Sequence, residues 1–166
     1  MNQDNLARAN KQVGVLIGLR GLTFERYVDL IDIGFGSGGL QHTLRLFGYF
    51  RIRDDEAILV ANSEIRSPSS IALSRPTFSY STFIWDSPGE NCFDEWVSLN
   101  SSLLESLEVI DTQVNSIGDL SVFLSHDIII EVFIDSVVEE CWRVYKTEGD
   151  SPHFIMDGNG SGFILE

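Results

Sequence analysis

The sequence predicts an α+β fold, dominated by antiparallel β-sheet, in which two similar β-hairpin units flank one amphipathic helix. Three observations lead to this prediction. Apolar and polar residues alternate along residues 32–52 and again along 119–144, which is the pattern of half-buried strands. The two stretches also resemble each other position by position, and apolar residues at helical spacing lie between them. We expect a half-barrel or a sandwich with pseudo-twofold character.

The resemblance between the two stretches becomes clear when Asp32 is placed on Asp119. The alternating positions then coincide if one gap is allowed. The aligned pairs are Ile33 with Leu120, Phe35 with Val122, Leu40 with Ile128, His42 with Ile130, Leu44 with Val132, and Leu46 with Ile134. A turn-like patch separates the runs, GSGG at 36–39 and SHD at 125–127. Similar composition alone can make two half-buried hairpins alike, so structural repetition and coincidence both stay open.

Each hairpin is followed by a similar continuation. An aromatic–Arg–aliphatic triplet comes first, and a short apolar run follows it. In the first unit these are Phe50-Arg51-Ile52 and residues 57–60. In the second unit they are Trp142-Arg143-Val144 and residues 153–156. The second unit inserts four more residues before its triplet. Strand-like segments at 22–35 and 107–115 lead into the units, and a short helix or strand precedes the first.

The segment between the units is predicted to be a strand followed by a helix. The alternating TFSYSTFIW at 77–85 indicates a strand. Ser87 is then suited to the N-cap, with Pro88 at the first helical position and Glu90 at capping-box spacing. Apolar residues with a period near 3.6 predict a helix over 87–106. Asn100 and the two serines after it interrupt the apolar stripe, so the helix either continues through them or breaks there.

The length of 166 residues fits one domain, 1–166, with repeat-like units at about 22–62 and 107–158 and the connecting strand and helix at 77–106. The N-terminus lacks the layout of a signal peptide, and the apolar run at 13–19 is too short to span a bilayer. We therefore expect a cytoplasmic protein. The two cysteines, Cys92 and Cys141, lack metal-ligand spacing and are expected to be buried thiols.

The net charge of −14 is distributed unevenly. Residues 1–85 hold nine Lys and Arg against eight Asp and Glu, whereas residues 86–166 hold two against seventeen. This distribution argues against nucleic-acid or anionic-membrane binding, both of which need clustered cations. It is compatible with a cationic partner, and an acidic surface that merely keeps the protein soluble is the simpler explanation.

Motifs for catalysis or for cofactor and metal binding are not evident. GFGSGG at 34–39 lacks the Lys-Ser/Thr of a phosphate loop and is followed by a strand pattern. The three histidines, His42, His126 and His153, have no short mutual spacing, and DGNGSG at 157–162 lacks the acidic series of a calcium loop. We therefore predict no enzyme activity, no cofactor and no metal.

The candidate partner-binding residues are acids expected on the helix and in the inserted loop. Glu90, Asp94 and Glu95 lie in the first turns of the predicted helix, where the helix dipole also favours anions. Asp135, Glu139 and Glu140 lie in the loop inserted into the second unit, beside Trp142. Trp142, like Trp85, is an aromatic anchor if it is exposed.

The second half of the chain resembles immunity proteins of contact-dependent growth inhibition and related polymorphic toxin systems. The resemblance covers mainly residues 103–145. It consists of a leucine-rich segment, Gly118-Asp119-Leu120 at the start of an alternating strand, the turn after that strand, and Trp142-Arg143-Val144 at the end. It implies a cytoplasmic protein that binds and neutralises a cognate toxin domain, often a basic nuclease. The glycine expected before the strand at 107–115 is absent.

Two other functions remain open at this point. One is a small enzyme or ligand-binding module that uses carboxylates in a concavity between the two units. The other is self-association, in which the predicted edge strand at 77–85 pairs with a second copy to form a homodimer.

Overall fold

Two antiparallel sheets, of six and five strands, make up most of the regular secondary structure in a computed structural model that describes residues 1–36, 39 and 41–165. The predicted class, α+β with mainly antiparallel sheet, is confirmed. The strands are β1 (Leu22–Tyr27), β2 (Leu30–Phe35), β3 (His42–Leu46), β4 (Phe50–Arg53), β5 (Ile58–Ala61), β6 (Val109–Val114), β7 (Leu120–Leu124), β8 (Ile129–Val132), β9 (Glu140–Lys146), β10 (His153–Asp157) and β11 (Phe163–Leu165).

Helices are short and lie at the margins of the sheets. They are α1 (Gln3–Val13), α2 (Ser70–Leu73), α3 (Cys92–Leu99) and α4 (Ser101–Ser106), with 3-10 turns at Gly14–Leu16 and Asn62–Arg66. Helix α1 packs along β6 and α4 packs on β1. Among the described residues, none of the helices combines the length and apolar composition needed to cross a membrane.

Each repeat-like unit contributes strands to both sheets. The six-stranded sheet has the order β1-β2-β3-β9-β10-β11, and the five-stranded sheet has the order β5-β4-β8-β7-β6. The first unit therefore places three strands in one sheet and then crosses to the other, and the second unit does the reverse. The exchange makes β3 the neighbour of β9 and β4 the neighbour of β8, so the units meet at the centre of each sheet.

The register of the two hairpins matches the alignment of the two stretches. Ile33 lies opposite Leu44, and the aligned residue Leu120 lies opposite Val132. The next pair along, Phe35 with His42, corresponds in the same way to Val122 with Ile130. The predicted GSGG turn and the alignment of Leu40 fall partly on Ser37, Gly38 and Leu40, which lie outside the described residues.

The aromatic–Arg–aliphatic triplets do not align in the same register. Phe50 lies opposite Val132, whereas Val144 lies opposite Leu44, the counterpart of Val132. Phe50 therefore corresponds to Val144, and not to Trp142 as the sequence suggested. The residues inserted after β8 displace the triplet by two positions, which preserves the alternation and so leaves the inward-facing side chains inward.

The predicted strand at 77–85 is wrong, because residues 74–90 form a loop of turns. Its aromatic side chains pack on one another, with the ring of Phe78 5.1 Å from that of Tyr80 and 6.0 Å from that of Phe83. Backbone bonds from Ser69 to Glu90 and from Cys92 to Ser67 close the loop at its base. This segment has no strand edge for pairing with a second copy.

The helix after this loop begins later than predicted and breaks at Asn100. Asn91, and not Ser87, is the N-cap of α3, and its side chain accepts a 2.8 Å hydrogen bond from the backbone N–H of Asp94. Asn100 ends α3 and precedes α4, and its Nδ2 donates to the carbonyl oxygen of Trp96. Of the two alternatives, the broken helix is the one observed.

Candidate partner-binding surface

The two chain segments that cross between the sheets contact each other at one end of the molecule. The first crossover is 47–49, between β3 and β4, and the second is 133–139, between β8 and β9. The backbone N–H of Tyr49 donates a 3.2 Å hydrogen bond to Asp135 Oδ2, and the N–H of Phe133 donates a 2.9 Å bond to the carbonyl oxygen of Tyr49. The predicted loop Asp135–Glu140 is thus anchored to the first unit.

Gly48 allows the two crossovers to approach this closely. A Cβ atom at this position would lie 2.6 Å from Asp135 Oδ1 and 3.2 Å from the carbonyl oxygen of Phe133. The N–H groups of Phe47 and Gly48 both donate to the carbonyl oxygen of Cys141, at 2.9 and 3.2 Å. A larger residue at position 48 would therefore push the second crossover away.

Two arginine–aromatic contacts connect the units in a reciprocal way. The guanidinium of Arg51 lies 5.2 Å from the ring centre of Phe133, and that of Arg143 lies 5.3 Å from the ring centre of Phe47. In each contact one unit provides the cation and the other provides the ring, which favours a fixed arrangement of the crossovers.

The tip of the second crossover is shaped by its own hydrogen bonds and by Gly158. The Ser136 hydroxyl accepts bonds from the N–H groups of Val138 and Glu139. The N–H of Gly158 donates to the carbonyl oxygen of Glu139 at 2.9 Å, and a Cβ on Gly158 would overlap the carbonyl oxygen of Ser136.

Apolar and acidic side chains are exposed together at this end, which we name the crossover surface. The exposed fractions are 41% for Phe47, 62% for Tyr49, 77% for Val137 and 75% for Val138. The crossover surface comprises these four residues together with the exposed acids Asp29, Asp135 and Glu139. All seven residues lie on the two crossovers or line the cavity beside them, and exposed apolar groups that occur together with charges are typical of interaction sites.

A shallow cavity of about 170 Å³ indents this surface where the two units meet. Its walls include Asp29, Asp135 and Arg66, and the side chain of Asp29 is 59% exposed and ion-paired with Arg66 at 3.3 Å. The volume is below the roughly 300–1,000 Å³ of most small-molecule sites. The crossover surface is thus better shaped for a protein contact than for enclosing a substrate.

Three of the predicted site acids, Glu90, Glu95 and Glu140, are held by side chains near the surface. Glu90 pairs with Arg75 at 2.7 Å, and this pairing lowers the pKa of Glu90. Glu95 accepts hydrogen bonds from the hydroxyl and the N–H of Ser70, which lower its pKa. Glu140 holds the guanidinium of Arg143 with both of its oxygens.

Asp94 is the most enclosed of the predicted acids. It pairs with Arg26 at 2.8 Å, and the side chains are only 17% and 6% exposed. Burial opposes ionisation of Asp94, but hydrogen bonds from Arg26, from the Gly89 N–H and from Asn91 outweigh it and hold the pKa of Asp94 below its usual value. Asp94 therefore connects α3 to β1.

Trp142 is not a surface anchor. Its side chain is fully buried, because the alternation of β9 places it in the core beside Phe154, and its Nε1 donates a 2.9 Å bond to the carbonyl oxygen of Gly118. Trp85 is half-buried, with the guanidinium of Arg66 5.1 Å from its ring. Of the seven predicted residues, only Asp135 and Glu139 are classed as exposed.

Ion pairs explain part of the charge asymmetry. Within the described residues, every arginine except Arg8 has a carboxylate partner. The pairs that join the two halves of the chain are Arg20–Glu108, Arg26–Asp94, Arg51–Glu131, Arg53–Glu131 and Arg75–Glu90. Acids of the second half thus neutralise cations of the first, and the unpaired acids give the surface its net negative charge.

The apolar part of the crossover surface was not among the predicted site residues. Phe47 and Tyr49 flank Gly48 between two alternating runs, and a glycine in that place indicates a turn or a close approach of backbones. Val137 and Val138 lie in the inserted loop, between the predicted acids Asp135 and Glu139. Comparison of the chain with protein-family models, with curated proteins and with solved structures found no match.

Proposed function

We propose that this protein is an immunity protein, which binds and neutralises a cognate toxin domain through the crossover surface. The partner class is a basic protein, such as a nuclease with a cationic phosphate-binding cleft. The observation that carries the proposal is the exposure of Tyr49, Val137 and Val138 beside the acids Asp135 and Glu139 on one structurally fixed end of the fold.

The apolar residues are expected to supply most of the binding energy. Interface hot spots are enriched in tyrosine and lie in regions that become fully desolvated on binding. Tyr49 suits this role because its backbone is held by bonds to Asp135 and Phe133 while its side chain projects into solvent. A preformed backbone reduces the entropy lost on binding.

The acids are expected to set the rate and the choice of partner. Glu139 is exposed, and its carboxylate makes no ion pair with any described residue. A net charge of −14 attracts a cationic protein from a distance, and carboxylates at the contact can occupy a site that otherwise binds phosphate. Salt should therefore slow association more than it speeds dissociation.

Co-expression with a toxin tests the proposal. The chain is produced in bacteria together with the toxic C-terminal domain encoded immediately upstream of its gene, and survival and co-purification are scored. We expect survival and a stable complex for the natural chain, and loss of both for a variant carrying Tyr49→Ala and Glu139→Lys. The matched control carries Leu99→Ser and Glu105→Lys, at an exposed leucine and an exposed acid of α3 and α4.

The control separates interface loss from a general effect of charge or exposed apolar area. Survival with the control but not with the Tyr49 and Glu139 variant supports the crossover surface. Toxicity with the natural chain, in the absence of any complex, contradicts the proposal. Survival without a complex would indicate an enzyme that inactivates the toxin or its product.

A further inference from the structure

A second cavity, of about 420 Å³, lies at the end of the six-stranded sheet away from the crossovers. The crossovers attach to β3 and β9 at Leu46 and Glu140, whereas the cavity is reached at the other ends of these strands, at His42 and Lys146. Its lining includes Gln12, Val15, His42, Lys146, Pro152 and Ile164.

His42 and Lys146 lie opposite each other in the register of β3 and β9. Alternation places His42 on the same face as Leu44, and Lys146 on the same face as Val144. Leu44 and Val144 are buried in the core between the sheets. The imidazole and the lysine stem therefore continue the inward-facing rows of both strands up to the mouth of the cavity.

Apolar residues occupy the corresponding positions in the pairing register of the other sheet. In the five-stranded sheet, the counterparts of His42 and Lys146 are Ile130 and Ile52, which also lie opposite each other. Both isoleucines are buried, with at most 1% exposure. Two buried isoleucines thus occupy this position in the five-stranded sheet. In the six-stranded sheet the same position is occupied by His42 and Lys146, which line an open cavity.

The two nitrogen-bearing side chains lack partners within the described part of the chain. His42 Nδ1 is buried without a hydrogen bond, an unfavourable arrangement in a folded protein, so it is the rest of the His42 side chain that lines the cavity. Lys146 makes no ion pair there, although the chain contains 25 acids. Burial and the nearby charge of Lys146 both lower the pKa of His42.

We propose that this cavity binds a small amphipathic carboxylate, with the carboxylate between Lys146 and His42 and the apolar body against Val15, Pro152 and Ile164. The volume lies within the range of small-molecule sites, and such sites combine apolar walls with a few polar groups that fix orientation. Lysine supplies a charge-assisted hydrogen bond to the carboxylate, and Gln12 offers a further donor at the rim. This site is independent of the crossover surface.

Calorimetric titration of the purified full chain with octanoate tests this proposal, with 1-octanol and octylammonium as probes that share the apolar body. We expect saturable binding of octanoate and much weaker binding of the other two. Lys146→Met should weaken octanoate binding about tenfold, as expected for loss of one charge-assisted hydrogen bond. Lys11→Met removes an exposed lysine that does not line the cavity and should leave the affinity unchanged.

His42→Ile places the residue of the other sheet at this position. We expect it to keep or raise the melting temperature while octanoate binding weakens, so loss of binding is separated from loss of folding. Equal affinity for octanoate and 1-octanol, equal losses in the Lys146 and Lys11 variants, or no saturable binding of octanoate at millimolar concentration would each overturn the proposal.

Discussion

The indole Nε1 of Trp142 donates a hydrogen bond of 2.9 Å to the carbonyl oxygen of Gly118, and this bond joins the two sheets through the core. Trp142 belongs to β9 of the six-stranded sheet, whereas Gly118 lies in the turn between β6 and β7 of the five-stranded sheet. The φ of Gly118 is 105°, which suits a glycine, and a Cβ there would lie 3.1 Å from side-chain atoms of both Ile134 and Met156. The pair lies within the second unit, and it ties the strands that this unit contributes to the two sheets.

Replacement of Trp142 should therefore affect stability and not binding alone. We expect Trp142→Ala to lower the free energy of unfolding by about 3–5 kcal/mol because it leaves a large cavity. Trp142→Phe should cost less, about 1–3 kcal/mol, chiefly because the Gly118 carbonyl loses its buried donor. Urea unfolding measures both. Unchanged stability in Trp142→Ala would contradict its place in the core.

The Arg26–Asp94 pair should make stability depend on pH. The folded-state pKa of Asp94 lies below its usual value, so the stability that the pair contributes is present above the unfolded pKa of about 3.9 and is lost as the pH falls through the folded value. We expect Asp94→Asn to cost about 3 kcal/mol at neutral pH because it leaves Arg26 buried without its anion.

Melting temperatures of the natural chain and of Asp94→Asn, compared from pH 7 downwards, check this expectation. The difference between them should shrink as the pH falls below about 4, where the natural chain also loses its anion. Glu90→Gln is the matched control. Glu90 pairs with Arg75 at the surface, so this variant should lower the melting temperature less than Asp94→Asn does. A difference that stays constant with pH would contradict the role of Asp94.

The neighbouring acids Glu139 and Glu140 should behave differently when their charge is reversed. Glu139→Lys should change stability by at most about 0.5 kcal/mol, as for other exposed positions, and should slow association with the partner most at low salt. Glu140→Lys should lower stability by about 1–3 kcal/mol because it removes the partner of Arg143 and adds a like charge. Stopped-flow association rates and melting curves distinguish the two effects, and equal behaviour of both variants would be inconsistent with the structure.

Gly158 should control the position of the second crossover. Gly158→Ala places a Cβ against the Ser136 carbonyl oxygen, so we expect a loss of about 1–3 kcal/mol and faster hydrogen exchange at residues 136–139. Gly14→Ala is the control, because a Cβ there meets nothing within 4 Å. If hydrogen exchange at residues 136–139 is as slow in Gly158→Ala as in the natural chain, the position of the second crossover does not depend on this glycine.

The sequence predicted the hairpins because alternation with period two directly reports which side chains share a face. The matched register of Ile33 with Leu44 and of Leu120 with Val132 follows from that signal. Alternation does not report which sheet a strand joins, so the exchange of strands between the units was not predictable. The alternation of Phe78 with Tyr80 was misleading, because these rings pack within a closed loop instead of on a sheet.

The candidate site was predicted only in part. The sequence identified the inserted loop, and Asp135 and Glu139 are exposed there. The predicted residues also include acids such as Glu90, which forms an ion pair with an arginine elsewhere in the chain. Ion pairs of this kind cannot be recognised without the three-dimensional structure. The burial of Trp142 was available from the sequence, since Trp142 is in phase with Val144 on an alternating strand.

The most direct test of the crossover surface is the dissociation constant of the purified complex with its toxin partner, measured for two variants of similar chemistry. We predict that Tyr49→Ala combined with Val137→Ser and Val138→Ser weakens binding by at least about 2 kcal/mol, as for interface hot spots, with little change in melting temperature. Leu99→Ser, at another exposed apolar position, should bind like the natural chain. Natural affinity in the triple variant would show that the partner binds elsewhere and would contradict the proposal.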